Sequence, residues 1–264
     1  MTKVKQVHPD KVEDVKHDNS ELKIEQQTKT LSQSFKYLFC RLYLLAFCIY
    51  VPAFNLIYYN LFGVVPFYLH KVLGADTMFV SYLSVSLSIL IAIATILLSC
   101  LLRKLDQMLP WLQSRMIMTL LPMALQMVFN ISLTTCSTVY GGVFILTLSA
   151  IAASTLFSGS VLTLNYEMDP KNSAVLVSVF NSCGQASGFL GPLLMAAITH
   201  TDHGTPHYDS VYRRRWSYFF YAMAGSAAVG FMAIVLAYIL KPNEWINREE
   251  QIRKAQERKA NQGA

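Results

Sequence analysis

The sequence predicts an all-α membrane protein with six transmembrane helices. Three observations carry that prediction. Of the 264 residues, 53% are hydrophobic and only 14% charged, where a soluble domain carries roughly a quarter charged residues. The charges crowd into residues 1–36 and 241–264 and leave the middle nearly bare. That middle consists of apolar runs of the length, about 20 residues, that a helix needs to cross a hydrocarbon core ~30 Å thick.

Residues 1–36 are polar, with a Glu, Gln, Lys and Thr stretch from Glu21 to Thr30. They hold too little apolar surface to offset the entropy of ordering, which predicts a disordered cytosolic tail. The first span is expected over 37–69, longer than one crossing needs; tilt, a helical extension or a break near Pro52 would absorb the surplus. A turn with Gly74 and Asp76 leads into the second span, 78–102, rich in Ser and Ala. The basic stretch Arg103 to Arg115 forms the next connection, and the third span covers 116–134 with Pro122 as a kink. The fourth covers 139–162. Asn165 to Ser173 is a polar break before the fifth, 174–199. His200 to Arg214 makes a longer loop before the sixth, 215–240, and residues 241–264 form a charged cytosolic tail.

Six spans put both tails on one side, together with the second and fourth connections. Most of the 22 Lys and Arg residues fall on that side, against Lys71, Arg213, Arg214 and Arg215 on the other. Positive charge favours the cytosol, so both termini are expected there. The same reasoning accounts for the net charge of +6: basic residues beside spans serve topology and lipid headgroups. No nucleic-acid module accompanies them, so the expected partner is the lipid bilayer and not a nucleic acid. The five cysteines, Cys40, Cys48, Cys100, Cys136 and Cys183, lie in or beside apolar runs without a CxxC spacing. They read as small buried side chains. No apolar run near Met1 resembles a cleavable signal peptide.

The fifth span and its approach read Asn165-Tyr166-Glu167-Met168-Asp169-Pro170, then Ala174, Asn181, Gly184, Gly188 and Gly191-Pro192. This resembles the second half of the major-facilitator organic-anion transporters, the anion:cation symporters that include sialin, the vesicular glutamate carriers and the sodium–phosphate cotransporters. Val65-Pro66-Phe67-Tyr68-Leu69 with Val72-Leu73 looks like the end of that family's seventh helix. Trp216 with Phe219-Phe220 looks like the start of its twelfth, and Pro242 with Trp245 like its C-terminal signature. The resemblance covers residues 33–246 and only helices seven to twelve of a twelve-helix carrier. Ser99 and Arg103 stand where the family has a Gly and an Asp, in the loop that serves it as a conformational latch. The family's charged substrate residues lie largely in the first half, so none is carried over.

Carriers of this kind need a polar path at the bilayer midplane between two rocking halves. Asn55, Tyr58, Tyr59 and Phe62 share one face of the first span at i, i+3, i+4 and i+7. Ser178, Asn181 and Gln185 form a stripe on the fifth. Both sets are candidates for lining a path, and hydrogen bonding between packed helices is the other reading. Gly184, Gly188 and Gly191 permit close helix contact, and Pro192 is a candidate bend for gating. Gln126 and Asn130 in the third span favour packing. Asn130-Ile131-Ser132 is a glycosylation sequon set too close to the membrane for modification.

The span interiors hold no Asp, Glu, Lys, Arg or His. A charge there costs roughly 2.5–3.5 kcal/mol on insertion scales, and proton relays and ion sites announce themselves by bearing that cost. A complete proton- or sodium-coupled mechanism is therefore not expected in this chain alone. The loop residues His200, Asp202, His203, His207 and Asp209 fit no recognised ligand spacing, so no metal or cofactor is expected. Ser158 and Ser160 have no deep histidine to activate them, so an enzyme is not expected either. The resemblance implies transport of a small solute, an organic or inorganic anion, by alternating access. The partner half would be a second copy, a separate chain, or a portion preceding Met1 in a longer product. The alternative is a degenerate, non-transporting membrane protein that binds or regulates a full-length carrier.

Overall fold

A computed structural model describes residues 41–156, 164, 173–199 and 208–245. The polar tails, the Asn165–Pro170 motif, the serines Ser158 and Ser160 and the histidine loop 200–207 lie outside the described residues. Among the described residues there are seven α-helices and no strand. They are α1 (Leu42–Gly63), α2 (Val65–Lys71), α3 (Thr77–Met108), α4 (Trp111–Thr135), α5 (Val139–Ala153), α6 (Ser173–Thr199) and α7 (Tyr208–Leu240), with 3-10 turns at Ser154–Leu156 and Pro242–Trp245. All of them fall within one compact unit, Leu42–Ala264.

Among the described residues, four helices are long and apolar enough to cross a membrane: α1, α3, α4 and Val211–Leu240 of α7. The six spans expected from the sequence thus reduce to four on this criterion. The reasons differ for the other two. α5 has 15 residues, about 22 Å at 1.5 Å per residue, and passes into the 3-10 turn Ser154–Leu156; residues 157–162 of the expected span lie outside the described residues. α6 is long enough at 27 residues, but Ser178, Asn181, Ser182, Gln185 and Ser187 dilute its apolar run.

Several boundaries differ from the expected ones. The first span breaks at Val64, ahead of Pro66, and not at Pro52, which sits inside a continuous α1. Proline constrains the residue before it and favours a helix start at its own first turn. α3 runs on to Met108 and α4 begins at Trp111, so the expected loop Arg103 to Arg115 is mostly helix. At 32 residues α3 is about 48 Å long, more than the ~30 Å core requires. α7 likewise begins at Tyr208 instead of Arg215. Pro122 and Pro192 both lie within unbroken helices.

Turn chemistry fixes the starts. Gly74 has φ of +78°, a left-handed conformation that costs glycine nothing. The ring Nδ1 of His70 lies 2.8 Å from the Ala75 carbonyl oxygen across that turn. Asp76 then caps α3 by accepting from the backbone N–H of Met78 and Phe79, and the Thr138 hydroxyl caps α5 by accepting from Gly141 N–H. Each satisfies donors that a helix N-terminus leaves open.

Contacts set the helix directions. Tyr50 Oη donates to the Thr119 carbonyl at 3.0 Å and Tyr68 Oη to the Leu133 carbonyl at 3.2 Å, so α1–α2 and α4 run in parallel. Along α1, Ser187 meets Pro52 and Gly191 meets Asn60, so α6 runs the same way. Against α7 the order reverses: Tyr68 packs on Trp216 and Phe220, Asn60 on Met223, Ala53 on Ser226. The start of α5 lies at the end of α2, where Gly142 adjoins Leu69 and Leu73. Taking α1 and α2 together, the segments alternate in direction along the chain.

α1 is the hub, with Tyr43, Leu44, Phe47, Tyr50 and Phe54 essentially buried. Trp245 returns to its first turns, 5.9 Å from both Tyr43 and Phe47 between ring centroids. α3 lies at the other extreme and exposes Met78, Tyr82, Val85, Ile89, Ile93, Ile96 and Leu97. Its hydroxyls do not oppose a lipid contact. Ser81, Ser84, Ser86, Ser88, Thr95 and Ser99 each donate to the carbonyl one turn back, at 2.8–3.0 Å, which hides the polar group in the helix. Between α4 and α5, Gln126 Nε2 donates to the Ser149 carbonyl at 2.8 Å and Ser149 Oγ donates to Gln126 Oε1 at 2.6 Å. Both side chains are buried, and the pair satisfies itself across the two helices.

Candidate functional site

The two sequence stripes meet where α1 packs on α6. Ser187 Oγ donates to the Pro52 carbonyl at 2.8 Å. On the same seam the glycines of α6 receive the side chains of α1. A methyl group built on Gly184 would collide with Asn55 Nδ2 and lie 3.1 Å from Val51 Cγ1. One on Gly188 would touch the Tyr59 ring at 3.5 Å, and one on Gly191 would lie 2.6 Å from Asn60 Oδ1 and 2.8 Å from Nδ2. The small-residue spacing therefore seats Asn55, Tyr59 and Asn60 in turn. Pro192 is exposed, one residue past that seam.

Beyond the glycines the seam opens onto a polar face. Ser178, Asn181, Ser182 and Gln185 are all exposed on α6. Tyr59 Oη donates to Gln185 Oε1 at 2.8 Å, which ties the α1 stripe to the α6 stripe. Tyr58 stands edge-on to Tyr59 at 5.7 Å and to Phe62 at 5.2 Å, forming an aromatic wall beside the bond. Asn55 is only 7% exposed, turned toward Gly184.

Hydroxyl and amide groups on this face differ in one respect. Ser178 and Ser182 donate to their own helix, to the Ala174 and Ser178 carbonyls at 2.8 and 2.9 Å, and so resemble the serines of α3. A carboxamide has two donors and an acceptor and cannot bury them this way. The side-chain amides of Asn55 and Asn181 make no hydrogen bond among the described residues, and Tyr59 engages only the oxygen of Gln185. An amide held in hydrocarbon without partners costs several kcal/mol (about 4–8 on a cyclohexane scale). At membrane depth these groups require water, a solute or another protein surface. α1 and α6 contain no charged residue, so the face offers neutral donors and acceptors only.

Two features were not legible as stripes. Asn60 is off the Asn55–Tyr59 face and is 2% exposed. Its Nδ2 donates to the Leu56 carbonyl at 2.5 Å and meets Met223 Sδ at 3.2 Å. Its Oδ1 has no hydrogen-bond partner and lies against Gly191, where an added methyl group would collide with it. The second feature lies at the far ends of α3 and α4. Arg115 Nη1 bridges both carboxylate oxygens of Asp106, at 2.8 and 3.0 Å, and Ser114 Oγ donates to the same Asp106 Oδ1. Thus the acid of this connection is Asp106, three residues beyond the Arg103 position that the resemblance singles out, and Arg103 itself is exposed.

No protein-family model and no curated protein matches this chain.

Proposed function

We propose that the chain is the six-segment half of a transmembrane solute carrier, with α1–α2, α3, α4, α5, α6 and α7 as its crossings and both termini cytosolic. The alternating helix directions support that count, because α1 and α6 run in parallel and so need an odd number of crossings between them. α5, though short, supplies the third. In this reading the substrate is a small organic or inorganic anion, taken through a path along Asn55, Tyr58, Tyr59, Ser178, Asn181 and Gln185. A partner half closes the other side, and rocking of the two gives alternating access.

The observation that carries the proposal is the exposed amide face of α6, joined to α1 by the Tyr59–Gln185 bond. Amide N–H and tyrosine O–H groups suit carboxylate or phosphate oxygens, in accord with the resemblance to anion:cation symporters. The uncharged character of the face leaves charge selection to the partner half.

The test is uptake of radiolabelled glutamate, sialic acid and phosphate by vesicles holding the purified chain, alone and with an N-terminal carrier half. Uptake is expected in at least one arrangement. Gln185→Ala and Tyr59→Phe should each lower it about two- to tenfold, the effect of one hydrogen bond worth roughly 0.5–1.5 kcal/mol. No uptake in either arrangement would favour the second reading, a non-transporting protein bound to a full-length carrier, for which the lack of any charge on α1 and α6 is the specific support. That reading predicts co-purification with such a carrier.

A further inference from the structure

We propose that Cys48 and Cys183 form an oxidisable thiol pair, which hydrogen peroxide converts to a disulfide linking α1 to α6. Register alone brings them together. The two helices are parallel, and Pro52 meets Ser187 through a 2.8 Å hydrogen bond. One turn back from each partner, four residues along each helix, stand Cys48 and Cys183 on the same faces.

The neighbouring contact lets the backbones come close enough. Gly184 follows Cys183, and a methyl group there would collide with Asn55 and crowd Val51. The helices therefore approach at a glycine beside the cysteines, and a disulfide needs such proximity, with Cα atoms roughly 4.4–6.8 Å apart. Both thiols are free and both half-buried, so a small oxidant can reach them. The other described cysteines are placed differently. Cys100 is exposed on α3, and Cys136 gives its thiol to the Thr138 carbonyl at 3.3 Å.

The chemistry balances with peroxide as the two-electron oxidant. The thiolate of one cysteine attacks a peroxide oxygen, the O–O bond breaks, and sulfenic acid and hydroxide form. The second thiol displaces hydroxide from the sulfenic sulfur, the S–S bond forms, and the two protons leave as water. In sum, two thiols and one hydrogen peroxide give one disulfide and two waters. The product fixes α1 to α6 one turn before the seam that carries Tyr59 and Gln185. The pairing does not depend on the transport reading.

The test uses the full chain in membranes, treated with hydrogen peroxide, alkylated with N-ethylmaleimide and digested without reduction for mass spectrometry. The expected result is a Cys48–Cys183 linked peptide from a single chain. Alkylation at both positions falls together at least several-fold and returns after dithiothreitol. Cys48→Ala abolishes the link, with no new link to Cys100 or Cys136. Full alkylation of both cysteines after peroxide overturns the proposal. So does a link found only between two chains, or one formed equally well with Cys100 or Cys136.

Discussion

Gly184→Leu is expected to destabilise the helix bundle by about 1–3 kcal/mol, the usual cost of forcing extra carbons into a packed interior. Even the first added carbon collides with Asn55 Nδ2 and stands 3.1 Å from Val51 Cγ1. Asn55 is 7% exposed and Val51 5%, so neither has open space to retreat into. The helices must separate, and the neighbouring Ser187–Pro52 and Tyr59–Gln185 bonds lengthen with them. Gly225→Leu is the control, since Gly225 is exposed and a Cβ added there meets nothing within 4 Å. Thermal unfolding of the purified protein in detergent, followed by loss of the monodisperse peak, compares the two. A lowered midpoint for Gly184→Leu and an unchanged one for Gly225→Leu is the expected pair of results. Equal midpoints would mean that the α1–α6 seam is looser than its contacts imply.

Asp106→Ala is expected to cost a further large amount, about 1.5–3 kcal/mol, the range for a hydrogen bond to a charged group. Arg115 is 4% exposed, and its guanidinium meets the Asp106 carboxylate at 2.8 Å, with 32% of the acid's side chain exposed. The Ser114 hydroxyl loses one acceptor and keeps the Trp111 carbonyl at 2.8 Å. Removing one partner of a buried pair is costly mainly because the other charge stays behind, whereas removing both is often nearly neutral. The double change Asp106→Ala with Arg115→Met should therefore recover much of the loss. A cycle of the two single variants and the double, measured by the same unfolding midpoint, checks this. Additive losses would show that the pair is screened by water and contributes little.

The existence of the helices was legible because each rests on a local property. Apolar runs of sufficient length specify helix in lipid, and turn formers such as Gly74 and Asp76 mark where the chain must bend. Boundaries were less legible. The hydrocarbon core limits hydropathy, but a helix does not stop where the lipid stops, and α3 carries Arg103, Lys104 and Asp106 on the same helix as its apolar run. A break near Pro52, one of three ways to absorb the surplus length, does not occur, for a related reason. A proline removes one donor, yet packing against Ser187 and the buried aromatics keeps α1 continuous through it, and the chain breaks instead where Val64 precedes a second proline at Pro66.

The site was legible in its halves and not in their joining. Helical spacing alone puts Tyr59 on one stripe and Gln185 on another, with the glycines beside the second. Which stripe faces which depends on helix order and direction, and these arise from contacts far apart in the chain. For the same reason Asn60, Ser187 and the Asp106–Arg115 pair carried no sequence signal. Single polar residues show no periodicity, and their meaning appears only with their partners in place.

The central claim is that the amide face of α6 meets water while the broad faces of α3 and α7 meet lipid. Reactivity of single cysteines toward a membrane-impermeant maleimide tests it most directly, in vesicles and in a chain whose native cysteines are replaced by alanine. Asn181→Cys and Gln185→Cys should react, while Ile93→Cys and Val229→Cys, at positions 51% and 58% exposed in the isolated chain, should stay inert because lipid covers them. Inert cysteines at 181 and 185 would contradict the path, and equal reactivity at all four positions would contradict the membrane.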